Sequence, residues 1–216
     1  MTFGKYAVLG DSYSTYEGYI PEGYNTWYGG ERGVGSHVDS VKDTWWYPLC
    51  ELPDTELLFN CSYSGSTICN TTYEGRFCPD TSFVGRMRDY FSGAHGTPDT
   101  VFVFAGTNDT WAGSPIGTPS ARAWDTYTDD DLREVFPAVH CMLDYLRAKL
   151  PKARIILLLN DLLSEPIMAA LHSEGAAYAC DVIDLYDISR HEGHPTAEGM
   201  RRIREEILSF YEKEEK

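Results

Sequence analysis

Tyr6-Ala7-Val8-Leu9-Gly10-Asp11-Ser12 opens as a short apolar run and closes on a glycine, an acid and a hydroxyl. Apolar residues without polar alternation suit a strand buried on both faces, and such strands belong to parallel sheets covered by helices on each side. Runs of the same kind recur at Glu56–Asn60, Thr100–Ala105, Arg154–Asn160 and Ala179–Leu185, which with Tyr6–Leu9 predicts five strands. Segments of helical character follow them: Ser40–Glu51, Ser82–Phe91, Asp129–Leu150, Ser164–Gly175 and Thr196–Glu212. Asp129 to Asp131 offer the third an acidic first turn, and Thr196, preceded by Pro195, offers the last a cap. Strands alternating with helices need right-handed crossovers, so the predicted architecture is a three-layer α/β/α sandwich on a five-stranded parallel sheet.

At 216 residues the chain suits one α/β domain spanning residues 1–216, with neither a repeat nor a low-complexity linker to divide it. A formal charge of −15 argues against nucleic acid or an anionic membrane as partner, since a polyanionic surface repels phosphate. Glu205, Glu206, Glu212, Glu214 and Glu215 read as the solvated face and end of a last helix. Met1-Thr2-Phe3-Gly4-Lys5 runs directly into the first strand and leaves no room for a signal peptide, and no apolar run approaches membrane-span length. The expectation is a cytoplasmic protein without membrane insertion; export after removal of a signal is the alternative. The six cysteines lack C-x-x-C spacing and are expected as thiols, Cys69 and Cys78 being the pair to watch in an exported protein.

Three further segments share the chemistry of the Gly10-Asp11-Ser12 turn: Tyr63-Ser64-Gly65-Ser66-Thr67, Gly106-Thr107-Asn108-Asp109 and His194-Pro195. Three of the four follow predicted strands, and His194 precedes the last helix on the same side of the sheet. In open α/β sheets, sites form beyond the carboxyl ends of the strands. Taken singly, Ser12 reads as a helix N-cap, Gly65 as a turn glycine, Asn108 as an Asx-turn residue and His194 as a loop histidine. Taken together they supply a nucleophile, two donors for a developing oxyanion and a base that titrates near neutrality. The Ser-Gly-Ser turn also resembles a flavodoxin phosphate loop, but that loop follows the first strand, and this one the second. His191 and His194 lack the H-E-x-x-H spacing of a zinc site, and Pro195 keeps them out of one helix. Neither a metal nor an organic cofactor is expected.

These blocks resemble those of the SGNH (GDSL-type) hydrolase family over residues 7 to about 200. The resemblance implies a flavodoxin-like strand order and a carboxylic ester hydrolase. Ser12 would be its nucleophile and His194 its base, with an oxyanion hole of the Ser12 N–H, the Gly65 N–H and the Asn108 side chain. One position departs from the family: where D-x-x-H places an aspartate to orient the base, this chain has His191. A Ser12–His194 dyad, its histidine oriented by a backbone carbonyl near position 191, is the first expectation; Asp187 or Asp184 reaching in from the preceding strand is the second. Aromatic residues crowd the loops after Ser12 and after Asn108, and Tyr13, Tyr16, Trp27 and Trp111 are candidate substrate contacts, although packing of the loops is their plainer role. Rings with polar edges suit a sugar or a short acyl group, which favours a carbohydrate O-deacetylase over a lysophospholipase or thioesterase. Loss of the usual aspartate favours another class, a non-catalytic glycan-binding descendant.

Overall fold

Five parallel strands, β1 (Gly4–Gly10), β2 (Thr55–Asn60), β3 (Thr100–Phe104), β4 (Arg154–Asn160) and β5 (Asp181–Leu185), lie in the order β2-β1-β3-β4-β5. They are seen in a computed structural model whose described residues are 1–214; Glu215 lies beyond them. β1 is central, with Val8 opposite both Asn60 and Phe102. The chain crosses from β1 to β2 on one side and returns to place β3 on the other, which opens a crevice at the carboxyl ends of β1 and β3.

Alternate residues of the buried strands feed two cores. Ala7, Leu9, Val101, Val103 and Leu157 face α1 (Phe83–Tyr90), α3 (Val135–Lys149) and α4 (Glu165–Ala177). Tyr6, Val8, Phe102, Phe104 and Leu158 pack with Trp45, Trp46 and the Met200, Ile203 and Ile207 stripe of α5 (Ala197–Glu214). Each such aliphatic side chain stabilises the fold by about 1.5–3 kcal/mol relative to exposure. Phe102 meets the rings of Phe3, Tyr6 and Trp45 edge-on, with centroids 5.2, 5.8 and 5.6 Å away.

The predicted sheet is present, two of the predicted helices differ from expectation, and a short helix at Thr107–Ala112 is additional to those predicted. Ser40–Glu51 forms two 3-10 turns, Val41–Asp43 and Tyr47–Glu51, instead of a helix. Ser40 and Asp43 close a capping box, the Thr44 hydroxyl bonds back to the Val41 carbonyl, and Pro48 has no N–H to carry a helix onward. Residues 129–134 stand outside α3: Asp129, Asp130 and Asp131 pair with Arg88, Arg133 and Arg122 in the preceding turn. β5 starts two residues later than predicted, because Ala179 (φ +51°) is left-handed at the end of α4.

Past β5, β6 (Arg190–His191) and β7 (His194–Pro195) form a hairpin whose two turn residues, Glu192 (φ +49°) and Gly193 (φ +77°), both have positive φ, as a type I′ turn requires. The Thr196 hydroxyl then accepts from the Gly199 N–H at 3.2 Å and caps α5. Among the described residues, no helix is long and apolar enough to cross a membrane.

Candidate active site

Where β1 ends, Asp11 turns the chain by accepting the Tyr13 N–H at 3.0 Å, and Ser12 opens a 3-10 turn at the mouth of the crevice. The Asp11 carboxyl is fully buried, and desolvation pushes its pKa up to about 7. Far along the chain, the hairpin carries His194 back to the same point, with Nε2 2.9 Å from the Ser12 hydroxyl. The Nδ1 of His194 lies 3.0 Å from the Glu192 carbonyl. A carbonyl only accepts, so the proton of neutral His194 sits on Nδ1 and Nε2 is left to accept from Ser12. Burial lowers the pKa of His194 to about 4, so the ring is neutral at ordinary pH.

His191 therefore leaves no gap for another side chain to fill: the backbone takes the orienting role, one residue from the position expected. Asp187, the alternative, is exposed, and no hydrogen bond joins it to His194 among the described residues. Asp184 is engaged elsewhere, by His172 Nε2 at 2.9 Å.

Gly65 and Asn108 are the two candidate donors. Gly65 holds φ +88° in the turn closed by Ser66 N–H to the Tyr63 carbonyl, and its own N–H has no partner among the described residues. Asn108 lies in α2 (Thr107–Ala112), which starts after Gly106 (φ +94°); a Cβ there would come within 3.1 Å of both Ile167 and Leu163. The Asn108 Oδ1 accepts from the Tyr73 hydroxyl at 2.8 Å, and its buried Nδ2 has no partner. The Asp109 carboxylate accepts the Ile68 N–H through both oxygens, at 2.9 and 3.0 Å, and so fastens α2 to the loop that carries Gly65. Burial raises its pKa to about 6.

Arg86 of α1 is wholly buried beneath both turns. Its guanidinium donates to the Gly10 carbonyl (3.1 Å), the Ser66 hydroxyl (2.7 Å), the Thr81 carbonyl (3.1 Å) and the Cys61 carbonyl. It thus joins the ends of β1 and β2 to the Gly65 turn. A sequence signal for it exists, since Arg86 falls among Phe83, Val84 and Met87 on the apolar side of α1. Tyr73, in a loop, gives no such signal.

The four aromatic candidates separate. Tyr13 is fully buried and donates its hydroxyl to the Gly193 carbonyl at 2.5 Å, so it braces the hairpin and offers no surface to a substrate. Tyr16 donates to the Asp39 carbonyl and packs edge-on to Tyr19, with no contact to Ser12 or His194. Trp27 lies flat on the His194 ring, centroids 3.5 Å apart and planes 8° from parallel. Trp111, 40 % exposed, meets His194 edge-on at 5.7 Å. Beyond Gly65 a cleft of about 350 Å³ is lined by Asn25, Tyr63, Thr72, Tyr73 and Arg76. All six cysteines are free thiols, Cys69 and Cys78 included. Among the described residues no group of three His, Cys, Asp or Glu is placed to hold a metal ion.

A parallel α/β/α sandwich with a serine and a histidine in contact at its carboxyl edge has the arrangement of an α/β serine hydrolase. The chain belongs to the GDSL-like lipase/acylhydrolase family, whose model matches residues 4–211. It is similar to a structure from Bacteroides ovatus ATCC 8483 described as a GDSL-like lipase, with 37% identity, 99% of this chain and 100% of that chain covered, and a TM-score of 0.88. A second structure so described, from Bacteroides uniformis ATCC 8492, shares 37% identity over 97% of this chain and 96% of that chain, with a TM-score of 0.88. An acetyl xylan esterase from Butyrivibrio proteoclasticus shares the fold at 16% identity and a TM-score of 0.61, over 98% of this chain and 64% of that one. No curated protein matches the sequence.

Proposed function

We propose that this chain is a serine esterase that removes short acyl groups, O-acetyl groups on a carbohydrate in particular, with Ser12 and His194 as a catalytic dyad. The observation that carries the reading is the 2.9 Å contact of Ser12 Oγ with the unprotonated nitrogen of His194. Ser12 Oγ attacks the acyl carbon while its proton passes to His194 Nε2, and the carbonyl oxygen gains charge facing the N–H groups of Ser12 and Gly65 and the Asn108 Nδ2. His194 returns that proton to the departing alcohol, leaving an acyl group on Ser12. Water, deprotonated by the same Nε2, then cleaves the acyl-enzyme.

The unpartnered Asn108 Nδ2 and Gly65 N–H support an enzyme over a glycan-binding descendant, because a buried donor left open has a cost that binding of a neutral glycan elsewhere would not relieve. The neighbouring cleft mixes polar Asn25, Thr72 and Arg76 with the rings of Tyr63, Tyr73 and Phe77, and rings beside polar groups support a sugar ester over a long alkyl chain.

Initial rates on p-nitrophenyl acetate, butyrate and octanoate, and acetate release from acetylated xylo-oligosaccharides, test this in wild type and Ser12→Ala. Turnover that prefers acetate and vanishes in the variant is expected. Equal rates for the two proteins on every ester would overturn the esterase. A preference for octanoate with no acetate released from the glycan would overturn the substrate class alone.

A further inference from the structure

An imidazole that takes a proton from a serine must spend part of each turnover as a cation. In a triad, a carboxylate stabilises that cation. Here His194 is 6 % exposed, and its polar partners among the described residues are the Ser12 hydroxyl and one carbonyl, so a charged ring at this position is poorly solvated. What covers it is aromatic. Tyr13 and Trp111 present edge-on geometry at 5.5 and 5.7 Å, and Trp27 stacks in full overlap at 3.5 Å.

We infer that Trp27 takes over the electrostatic part of the missing carboxylate: its indole face stabilises the imidazolium of His194 and holds the ring square to Ser12. The inference rests on the dyad reading above. A tryptophan π-face is electron-rich, so it attracts a cationic ring more strongly than a neutral one. The preference acts only when His194 carries the second proton, which is when the oxyanion exists, so it lowers the barrier without tightening substrate binding. The backbone of Trp27 is itself fixed: its main-chain N–H donates to the Thr15 hydroxyl at 2.9 Å, and that hydroxyl in turn donates to the Ser12 carbonyl at 3.0 Å, while the buried indole N–H has no partner among the described residues. The stack is thereby tied to the turn that carries the nucleophile.

Of the titratable groups on the elements packed around His194, Tyr13 faces the ring from the nucleophile turn, and Glu192, whose carboxylate is exposed, acts from its own hairpin. Trp27, from the loop after Ser12, and Trp111, which the structure places on α2 and not in the following loop, carry no charge. Among the described residues, Glu192 supplies a side-chain charge acting on the ring, and the indole supplies the contact at van der Waals range.

Two variants separate the π-face from mere packing. Trp27→Phe keeps an aromatic face; Trp27→Leu fills the space with an apolar group that has none. His194 pKa is read by 15N-histidine NMR titration, and kcat and KM are measured on p-nitrophenyl acetate. Phe is expected to stay within about 3-fold of wild-type kcat and Leu to fall by roughly 10-fold or more, with KM unchanged in both. The His194 pKa in the Leu variant should lie about half a unit or more below that in the Phe variant. Equal pKa values and equal kcat in the two variants would overturn the inference and leave Trp27 a packing residue. Were wild type to hydrolyse no ester, the dyad reading would fail, while the two titrations would still decide whether the stack favours the cation.

Discussion

Replacing Tyr73 by Phe removes a single hydroxyl that touches neither Ser12 nor His194, yet it should slow the acyl transfer. That hydroxyl donates to Asn108 Oδ1 at 2.8 Å and is the one side-chain partner the Asn108 amide has among the described residues. Because the hydroxyl donates, it fixes Oδ1 on its own side and turns Nδ2 towards the crevice. Without it, the amide is free to present oxygen where nitrogen belongs. A neutral hydrogen bond is worth about 0.5–1.5 kcal/mol net, so kcat should fall by roughly 2- to 13-fold. Asn108→Ala deletes the donor itself and should cost about 10²–10³ in kcat. Since Tyr73 acts only through Asn108, the double variant Tyr73→Phe/Asn108→Ala should be no slower than Asn108→Ala alone. Steady-state kinetics on p-nitrophenyl acetate reads all three. A Tyr73→Phe loss that persists in full on the Asn108→Ala background would refute the positioning argument, as would an effect confined to KM.

Four further outcomes follow from the site. Asp187→Asn should keep near-normal kcat, since His194 is oriented by a carbonyl; a loss of orders of magnitude would restore Asp187 to the mechanism. The pKa of His194 near 4 means that activity needs the ring neutral and is lost as pH falls through that value, so kcat/KM should be level from pH 8 to about 5, and a midpoint near 6.5 would show a solvated ring. Asp11, raised from 3.8 to about 7, contributes stability that is full below pH 3.8 and lost as pH rises through 7, so Asp11→Asn should gain on wild type by about 4 kcal/mol between pH 4 and pH 8 in urea unfolding; an unchanged gap would contradict the burial of a neutral acid. Arg86→Met leaves the Gly10, Cys61 and Thr81 carbonyls short of a donor and should cost about 3 kcal/mol, or roughly 6–12 °C in Tm, and a shift under 2 °C would deny the arginine its bracing role.

The sheet was legible because parallel strands buried on both faces leave uninterrupted apolar runs, and Val101–Phe104 or Ile155–Leu159 can be little else. Ser40–Glu51 misled because its composition suits a helix, while its conformation is decided by Trp45 and Trp46, both buried in one core, and by a capping box that closes after a single turn. Ser12, Gly65 and Asn108 could be grouped in sequence by their places after strands and His194 by its place before the last helix, and the structure brings Ser12 and His194 into contact. Their supports were not legible. Tyr73 reaches Asn108 across 35 positions and Arg86 reaches Gly10 across 76, and pairings of that range leave no periodic trace. The loop aromatics were visible as a group, but only three-dimensional packing tells Trp27, on the histidine, from Tyr13, beneath it.

Tyr13 and Tyr28 donate to the carbonyls of Gly193 and Pro195, the residues on either side of His194 in sequence. The segment beside the nucleophile thus grips the segment beside the base, across 180 and 167 positions. Clasp and base come from segments far apart in sequence, so neither is complete until both segments have folded together. On the proposed dyad, ester turnover reports only molecules in which these two segments have docked, and a refolding assay based on it would count those molecules alone.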